Sequence, residues 1–245
     1  AHRLIEEMML IANIAAGEFI QKHSKNGIYR IHDTPKDEKL KDLNLLLSKL
    51  GLSLESRNKP TTKHYSSLVE KIRKREDGKM LETILLRSMP LAEYSSSNKG
   101  HFGLGFPVYT HFTSPIRRYP DLIVHRIISY LIDGKVSLLS SYKKQTMIEL
   151  STHCSGTERR AEDASRDAVQ RLKCIFMKDK EGKKFQGIVS TVASFGLFVL
   201  LDDLYVEGLI HISTLKLELM KINLVLHLKT FSKQYNLLLH ANQLN

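Results

Sequence analysis

The sequence of 245 residues is 42% hydrophobic, enough for one large domain or two smaller ones with packed cores. Its formal net charge of +11 at pH 7 favours an anionic partner, with nucleic acid as the first candidate and a membrane surface as the second. It contains no apolar run approaching the ~18 residues of a membrane span. The only cysteines, Cys154 and Cys174, are too few for a disulfide framework and indicate reduced thiols in a cytoplasmic protein.

Hydrophobic periodicity predicts a mostly helical chain up to about residue 180. The predicted helices cover residues 1–23, 36–51, 64–75, 79–90, about 114–132 and 142–180. A short strand is expected within the connector 24–36. The helix at 1–23 has no capping residue before it, which suggests that the sequence begins inside a larger structural unit. In the last helix, a stripe is expected to face a core: Leu150, Cys154, Ala161, Ala164, Ala168, Leu172 and Ile175.

From Lys183 onward the sequence changes character. Residues 183–215 are rich in β-branched and aromatic residues with short turns, which predicts three strands. A domain boundary is therefore expected near residue 180. Residues 216–245 are rich in leucine and lysine and show neither clean alternation nor a firm helical stripe.

The stretch HFTSPIRRYPDLIVHR, residues 111–126, predicts an anion-binding turn. Ser114 is expected to cap a helix, with Pro115 at its first position. Arg117 and Arg118 then fall in the first turn, where cations oppose the helix dipole but can bind a phosphate together with free N–H groups.

Neighbouring residues support this interpretation. Tyr119 supplies flat apolar surface, Pro120 stiffens the turn, and Asp121 could orient an arginine. The alternative is a surface turn whose arginines are solvated or paired with acids elsewhere.

Three stretches resemble the RNase II / RNase R family, with RNase R as the closer branch. HFGLGFPVYTHFTSPIRRYPDLIVHR resembles the carboxy-terminal part of the catalytic domain, AHRLIEEMMLIANIAA an earlier helix, and HCSGTERRAEDASRD the closing helix. The resemblance runs from residue 1 to about 215 in the family's order. It implies a processive 3′→5′ exoribonuclease that hydrolyses RNA to nucleoside 5′-monophosphates with a divalent metal.

The resemblance also implies roles for single residues. Arg117 matches the arginine that holds a phosphate near the scissile bond. Glu6 matches an acidic residue near the 3′-terminal nucleotide, with Glu7 as the alternative one position later. On sequence alone, both glutamates fit a solvated helix face. Arg118 and Tyr119 are expected to bind RNA, although Arg118 could instead support the turn.

The family's magnesium is held by several aspartates within about ten positions, because Mg²⁺ needs oxygen ligands. No such cluster is recognisable in this sequence. The candidates considered and set aside are Asp33 with Asp37, Asp163 with Asp167, and Asp202 with Asp203. The chain is therefore expected to hold one wall of the active site, and an upstream polypeptide to carry the magnesium ligands.

Residues 183–215 resemble the beginning of an S1-type RNA-binding domain, an OB-fold barrel. By resemblance, Phe195, Phe198 and His211 face RNA, where aromatic rings stack on bases. The alternative is that the phenylalanines belong to the core and the histidine is a satisfied polar residue. The family pattern stops at residue 215, so the tail 216–245 is interpreted as a frameshift or a decayed gene end.

The sequence thus predicts an α+β protein. Residues 1–180 form a mostly helical RNB-type part, residues 181–215 a partial OB-fold barrel, and residues 216–245 a divergent tail. The predicted partner is single-stranded RNA, and no membrane is expected as a partner. The alternatives to an exoribonuclease are a non-catalytic single-stranded RNA-binding remnant and a basic scaffold for proteins. Strong salt dependence of RNA binding would argue against the scaffold.

Overall fold

The computed structural model describes residues 1–24, 26–55, 60–75, 77–202, 204–214 and 239–240. The helices in these ranges are α1 (His2–His23), α2 (Asp37–Lys49), α3 (Thr62–Arg73), α4 (Gly78–Ser88), α5 (Tyr119–Ile132) and α6 (Lys144–Lys178). The strands are β1 (Tyr29–Ile31), β2 (Glu93–Ser95), β3 (Lys184–Phe185), β4 (Gly187–Ala193), β5 (Gly196–Leu201), β6 (Glu207–His211) and β7 (Leu239–His240). The predicted α+β class is confirmed.

Most predicted helices are confirmed, with bounds that differ from the prediction by no more than two residues. The exception is α5, which begins at Tyr119 rather than near Ser114, so Arg117 and Arg118 lie before its first turn. The cause is Pro120. A proline disfavours helical angles at the residue before it and has no N–H for a helical bond, so it is accommodated only at a helix start.

Two compact units can be distinguished in the chain. The first comprises Ala1–Asn44, Leu54–Val69 and Leu85–Glu162, and the second Leu45–Ser53, Glu70–Ile84 and Asp163–Asn245. In the first unit, β1 and β2 form an antiparallel pair in which Arg30 lies opposite Tyr94. Its core consists of the buried residues Ala16, Ile20, Ile28, Tyr29, Ile31, Tyr94, Val108, Ile123, Val124, Ile127, Met147 and Cys154.

The second unit contains the antiparallel sheet β4-β5-β6, which confirms the three predicted strands. Val199 and Leu201 of β5 and Ile210 of β6 are buried, as expected for alternate residues on one face of a sheet. A small core joins Met177 and Leu201 to Val206. Strand β3 pairs with β7. The rest of the predicted tail lies outside the described residues.

The predicted core stripe of α6 is only partly present. Leu150 is half-buried and Cys154 buried in the core of the first unit. The rest of the stripe is exposed: Ala161, Ala164, Ala168, Leu172 and Ile175. A periodic stripe defines a helix face but not what lies opposite that face, which is why the prediction fails beyond Cys154. Among the described residues, none of the helices is both long and apolar enough to cross a membrane.

Candidate nucleic-acid interface

The two arginines lie in a tight turn that immediately precedes α5. The main-chain N–H groups of Arg117 and Arg118 donate to the carbonyl oxygen of Ser114, at 3.3 and 3.1 Å. Arg118 has extended backbone angles, φ −127° and ψ 113°, and is the N-cap of α5. Both side chains are therefore carried by a short closed loop of main chain, which we call the arginine turn, residues 114–118.

Three consecutive N–H groups at the entrance to this turn are held by buried side chains. Asn13 Oδ1 accepts from the N–H groups of Phe112 and Thr113, at 2.9 and 3.3 Å. Asp121 Oδ1 accepts from the N–H group of Ser114 at 2.8 Å. Because α1 provides Asn13 and α5 provides Asp121, two helices fix the main chain that leads into the turn.

His125 also holds this segment. Its ring stacks on Phe112 with a centroid distance of 4.0 Å and an interplanar angle of 7°. Its Nε2 lies 2.8 Å from the carbonyl oxygen of Phe112. A carbonyl can only accept, so Nε2 carries the proton in this contact. His125 is therefore a packing residue of the turn.

The two arginines have different environments. Arg118 Nη2 donates to Asp121 Oδ1 at 2.7 Å, and the Asp121 side chain is fully buried. The Arg117 side chain is exposed, and no described residue forms a hydrogen bond or ion pair with its guanidinium. Tyr119, at the first position of α5, is 49% exposed. One cation is thus neutralised within the fold, and its neighbour is available to an anion.

A neutral histidine lies beside these cations. Tyr94 Oη is 2.9 Å from His111 Nδ1. Burial, and then the charges of Arg118 and Arg30, lower the pKa of His111 to about 3. Burial raises the pKa of Tyr94 to about 12. Both groups are therefore uncharged at neutral pH, so neither adds a charge beside Arg117.

Glu6 and Glu7 are both exposed on the first turns of α1. Seven residues separate Glu6 from Asn13, which places the two about 20° apart around the helix at 100° per residue. Glu7 lies about 120° from Asn13 by the same geometry. Glu6 is therefore on the face of α1 that also holds the arginine-turn segment, and Glu7 is not.

The three β-segment candidates lie together in the second unit. Phe195 occupies the turn between β4 and β5 and is 47% exposed, and its ring meets that of Phe198 edge-to-face at 6.0 Å. Pairing of β5 with β6 sets Gly196 opposite His211 and Phe198 opposite Leu209. Since residues two apart share a face, Phe198 and His211 lie on the same face of the sheet.

A metal site does not form from the described residues. Nowhere in the described ranges do three or more His, Cys, Asp or Glu side chains come together in a way that could hold a metal ion. Asp33 is paired with Lys99, and Asp163 with Arg166. The described residues therefore do not fit the family's magnesium, and we assign no step to a metal. Asp203 lies outside the described residues.

Two family models match the chain in the order expected from its layout. The RNB domain model matches residues 1–134, and the S1 RNA binding domain model matches residues 178–232. The class of protein is therefore an RNB-domain protein with an S1 module after the helical part.

Individual relatives define the family more closely. Ribonuclease R of Escherichia coli (strain K12) is 47% identical over 223 residues, which cover 88% of this chain and 27% of the relative. Mycoplasma genitalium RNase R, solved in complex with ribose methylated single-stranded RNA, has a TM-score of 0.80 at 28% identity, over 86% of this chain and 34% of that one. The same enzyme in complex with double-stranded RNA has a TM-score of 0.77 at 27% identity, over 84% and 37%.

This chain belongs to the RNase R family. It spans about a quarter of the length of the curated relative from E. coli.

Proposed function

We propose that the chain is the RNA-holding part of an RNase R-type exoribonuclease, which hydrolyses RNA processively from the 3′ end to nucleoside 5′-monophosphates. One observation carries this proposal. Arg117 offers an exposed guanidinium that no described residue binds, on a turn fixed by buried polar side chains, while Arg118 beside it is neutralised by Asp121. An arginine on a fixed main chain, with no counter-ion among the described residues, is suited to bidentate binding of a phosphate.

The remaining site residues surround this phosphate in the proposal. Glu6 acts near the 3′-terminal nucleotide, supported by its place on the face of α1 that contacts the arginine-turn segment. Tyr119 and the exposed part of Arg118 border the phosphate. Together they would hold the scissile end of a strand still, so that an attacking water could be aligned with it.

The β4-β5-β6 sheet binds the strand further from its 3′ end in this proposal. Phe195 and Phe198 stack on bases, and His211, an exposed residue on the same face as Phe198, contributes its ring. Stacking of this kind tolerates any sequence because every base has a flat face. The S1 match and the +11 net charge support single-stranded RNA as the ligand.

When bound, magnesium would supply the Lewis acid and the activated water of the reaction. We propose that its ligands come from an upstream polypeptide with the rest of the catalytic domain. We also place the protein in the cytoplasm, supported by two cysteines that form no disulfide.

The test uses the purified chain and 5′-labelled single-stranded RNA, with magnesium and with EDTA, and resolves both products and bound complexes. We expect binding without shortening. Arg117→Ala should weaken binding by about tenfold, roughly 1.4 kcal/mol, because it removes one charge-assisted interaction with a phosphate. Arg160→Ala removes the same charge from an exposed position of α6 and is the matched control.

The other outcomes are equally informative. Magnesium-dependent shortening from the 3′ end would show that this chain contains a complete metal site. It would refute the proposal that the magnesium ligands come from an upstream polypeptide. If Arg117→Ala and Arg160→Ala weaken binding equally, Arg117 is only part of a diffuse basic surface. If a complex with the upstream polypeptide also binds RNA without cutting it, the chain is a non-catalytic RNA-binding remnant.

A further inference from the structure

A single buried amide links α1 to the arginine turn. Asn13 is 4% exposed, and its side chain uses both ends. Its Oδ1 accepts from Phe112 and Thr113, and its Nδ2 donates to Tyr109 Oη at 3.0 Å. Main-chain N–H groups can only donate, so the amide must face them with its oxygen, and its orientation is fixed.

The segment that Asn13 holds continues directly into the turn. The next N–H group along the chain, that of Ser114, is held by Asp121 from α5. The carbonyl of Ser114 then closes the turn by accepting from Arg117 and Arg118. A displacement of α1 would therefore be passed through Asn13 to the main chain that carries Arg117.

Close packing fixes the position of α1 along this segment. A Cβ atom at Gly17 would lie 3.0 Å from Val108 Cγ1 and 3.5 Å from the N atom of Thr110. Glu6 and Asn13 share a face of the same helix. One rigid element thus carries an exposed carboxylate and, two turns later, the anchor of the arginine turn.

We propose that Asn13 is a positioning residue. It fixes the position of the arginine turn relative to the face of α1 that carries Glu6. This inference rests on the proposed function, because the relative position of Arg117 and Glu6 matters only if both act on the same RNA. Asn13 does not contact RNA itself, since it is buried. Its effect on RNA is exerted through the main chain of Phe112 and Thr113.

The test measures RNA affinity and its salt dependence for four variants of the chain, below the unfolding temperature of each. The slope of log affinity against log salt falls by about 0.7 for each phosphate of a single strand that the protein ceases to neutralise. Asn13→Leu removes the three hydrogen bonds at similar volume. We expect it to weaken binding about tenfold and to lower the slope by about 0.7, as Arg117→Ala does.

The matched control is Tyr109→Phe, which removes only the bond to Nδ2 and leaves both main-chain bonds. We expect it to change affinity less than about twofold. The double variant of Asn13→Leu with Arg117→Ala should bind as the Arg117→Ala variant does, because both act on the same phosphate. Should the leucine variant fail to fold, Asn13→Ala, which introduces no new bulk, gives the same comparison.

Two results would separate the possible failures. If Arg117→Ala weakens binding and lowers the slope but Asn13→Leu leaves the slope unchanged, or if the two effects add, Asn13 is a stability residue only and the inference is wrong. If Arg117→Ala itself has no specific effect, the proposed function fails first, and the inference fails with it.

Discussion

At the scale of single residues, the two adjacent arginines illustrate how burial decides a role. Arg118 neutralises Asp121, a carboxylate with no exposed surface. We expect Arg118→Ala to lower the free energy of unfolding by about 3 kcal/mol, because it leaves a buried charge without its partner. Arg117→Ala should change it by less than about 0.5 kcal/mol, since its side chain is exposed. Urea unfolding monitored by circular dichroism checks both.

The control for this comparison removes the charge as well as its partner. The double variant of Arg118→Ala with Asp121→Asn leaves no carboxylate at position 121, so it should recover part of the lost stability. An Arg118→Ala variant as stable as the wild type would show that Asp121 is satisfied by other groups.

Two half-buried histidines make stability depend on pH. His111 and His101 have pKa values lowered to about 3 and about 4, mainly by burial. An unfolded histidine titrates near 6.5, so below that pH the unfolded chain binds protons that the folded chain does not. Stability should therefore fall as pH drops from 6.5 toward 4, by at most about 1.4 kcal/mol for each pH unit and histidine.

Urea unfolding between pH 7 and pH 5 measures this slope. His111→Gln removes one of the two groups and should flatten the dependence. His153→Gln, at an exposed position of α6, is the matched control. Equal slopes for the wild type and His111→Gln would contradict a neutral His111 in the folded chain.

Sequence and structure agree unevenly at this scale, for a physical reason. Arg117 can be recognised from the sequence because its pattern, two cations between two prolines, lies within six consecutive residues. Asn13 is not, because its partners lie 96 to 100 positions away along the chain. A lone polar residue within the apolar pattern of α1 was the available indication, and it does not identify a partner.

At the scale of elements, the start of α5 shows a competition between two similar sequence patterns. Ser114 with Pro115, and Tyr119 with Pro120, each offer a proline near a helix start. Only the second is compatible with a helix continuing beyond Pro120, since a helix begun at Pro115 would carry Pro120 in its interior. The prediction of a helix was correct, but its start was placed too early. Both arginines therefore lie before α5 and not within it.

A glycine in β5 gives a prediction for the sheet. A Cβ atom at Gly196 would overlap the carbonyl oxygen of Ile210 in the neighbouring strand β6. We expect Gly196→Ala to destabilise the β5–β6 pair by about 2 kcal/mol or more, because main chain cannot yield as a flexible side chain can. Amide hydrogen exchange across β5 and β6 measures the effect.

The matched substitution is Gly156→Ala in α6, where, apart from the chain neighbours and the main chain of the same helical turns, no described atom lies within 4 Å of the added carbon. It should stabilise the chain by about 0.5–1 kcal/mol, because glycine costs that much in a helix interior. Unchanged protection of β5 and β6 in Gly196→Ala would contradict the close approach of these strands.

At the scale of the whole molecule, the sequence alone indicates the α+β class and the order of helices and strands, because each depends on local periodicity. What covers a helix face does not follow from periodicity. Val169, Leu172, Ile175 and Phe176 of α6 are all at least half exposed despite their spacing. The arginine turn, proposed to hold RNA, lies in the first compact unit, and the β4-β5-β6 sheet, proposed to stack on bases, lies in the second.

The two proposed binding surfaces should make affinity depend on RNA length. Once one surface holds a strand, the other meets it at a high effective concentration, provided that the strand is long enough to reach both. We expect RNA of about 25 nucleotides to bind at least a hundredfold more tightly than RNA of about six. Fluorescence anisotropy with the two lengths measures this ratio.

A long RNA also binds more tightly because it offers more positions at which the protein can bind. This number of positions is the same for every variant, so it cancels when the ratios of affinity for long and short RNA are compared between variants. Arg117→Ala and Phe198→Ala should each reduce the ratio about tenfold, because each variant weakens one of the two surfaces. Arg160→Ala should leave it unchanged. If all three variants keep the wild-type ratio, the arginine turn and the sheet bind separate strands, and the chain does not hold one RNA at two points.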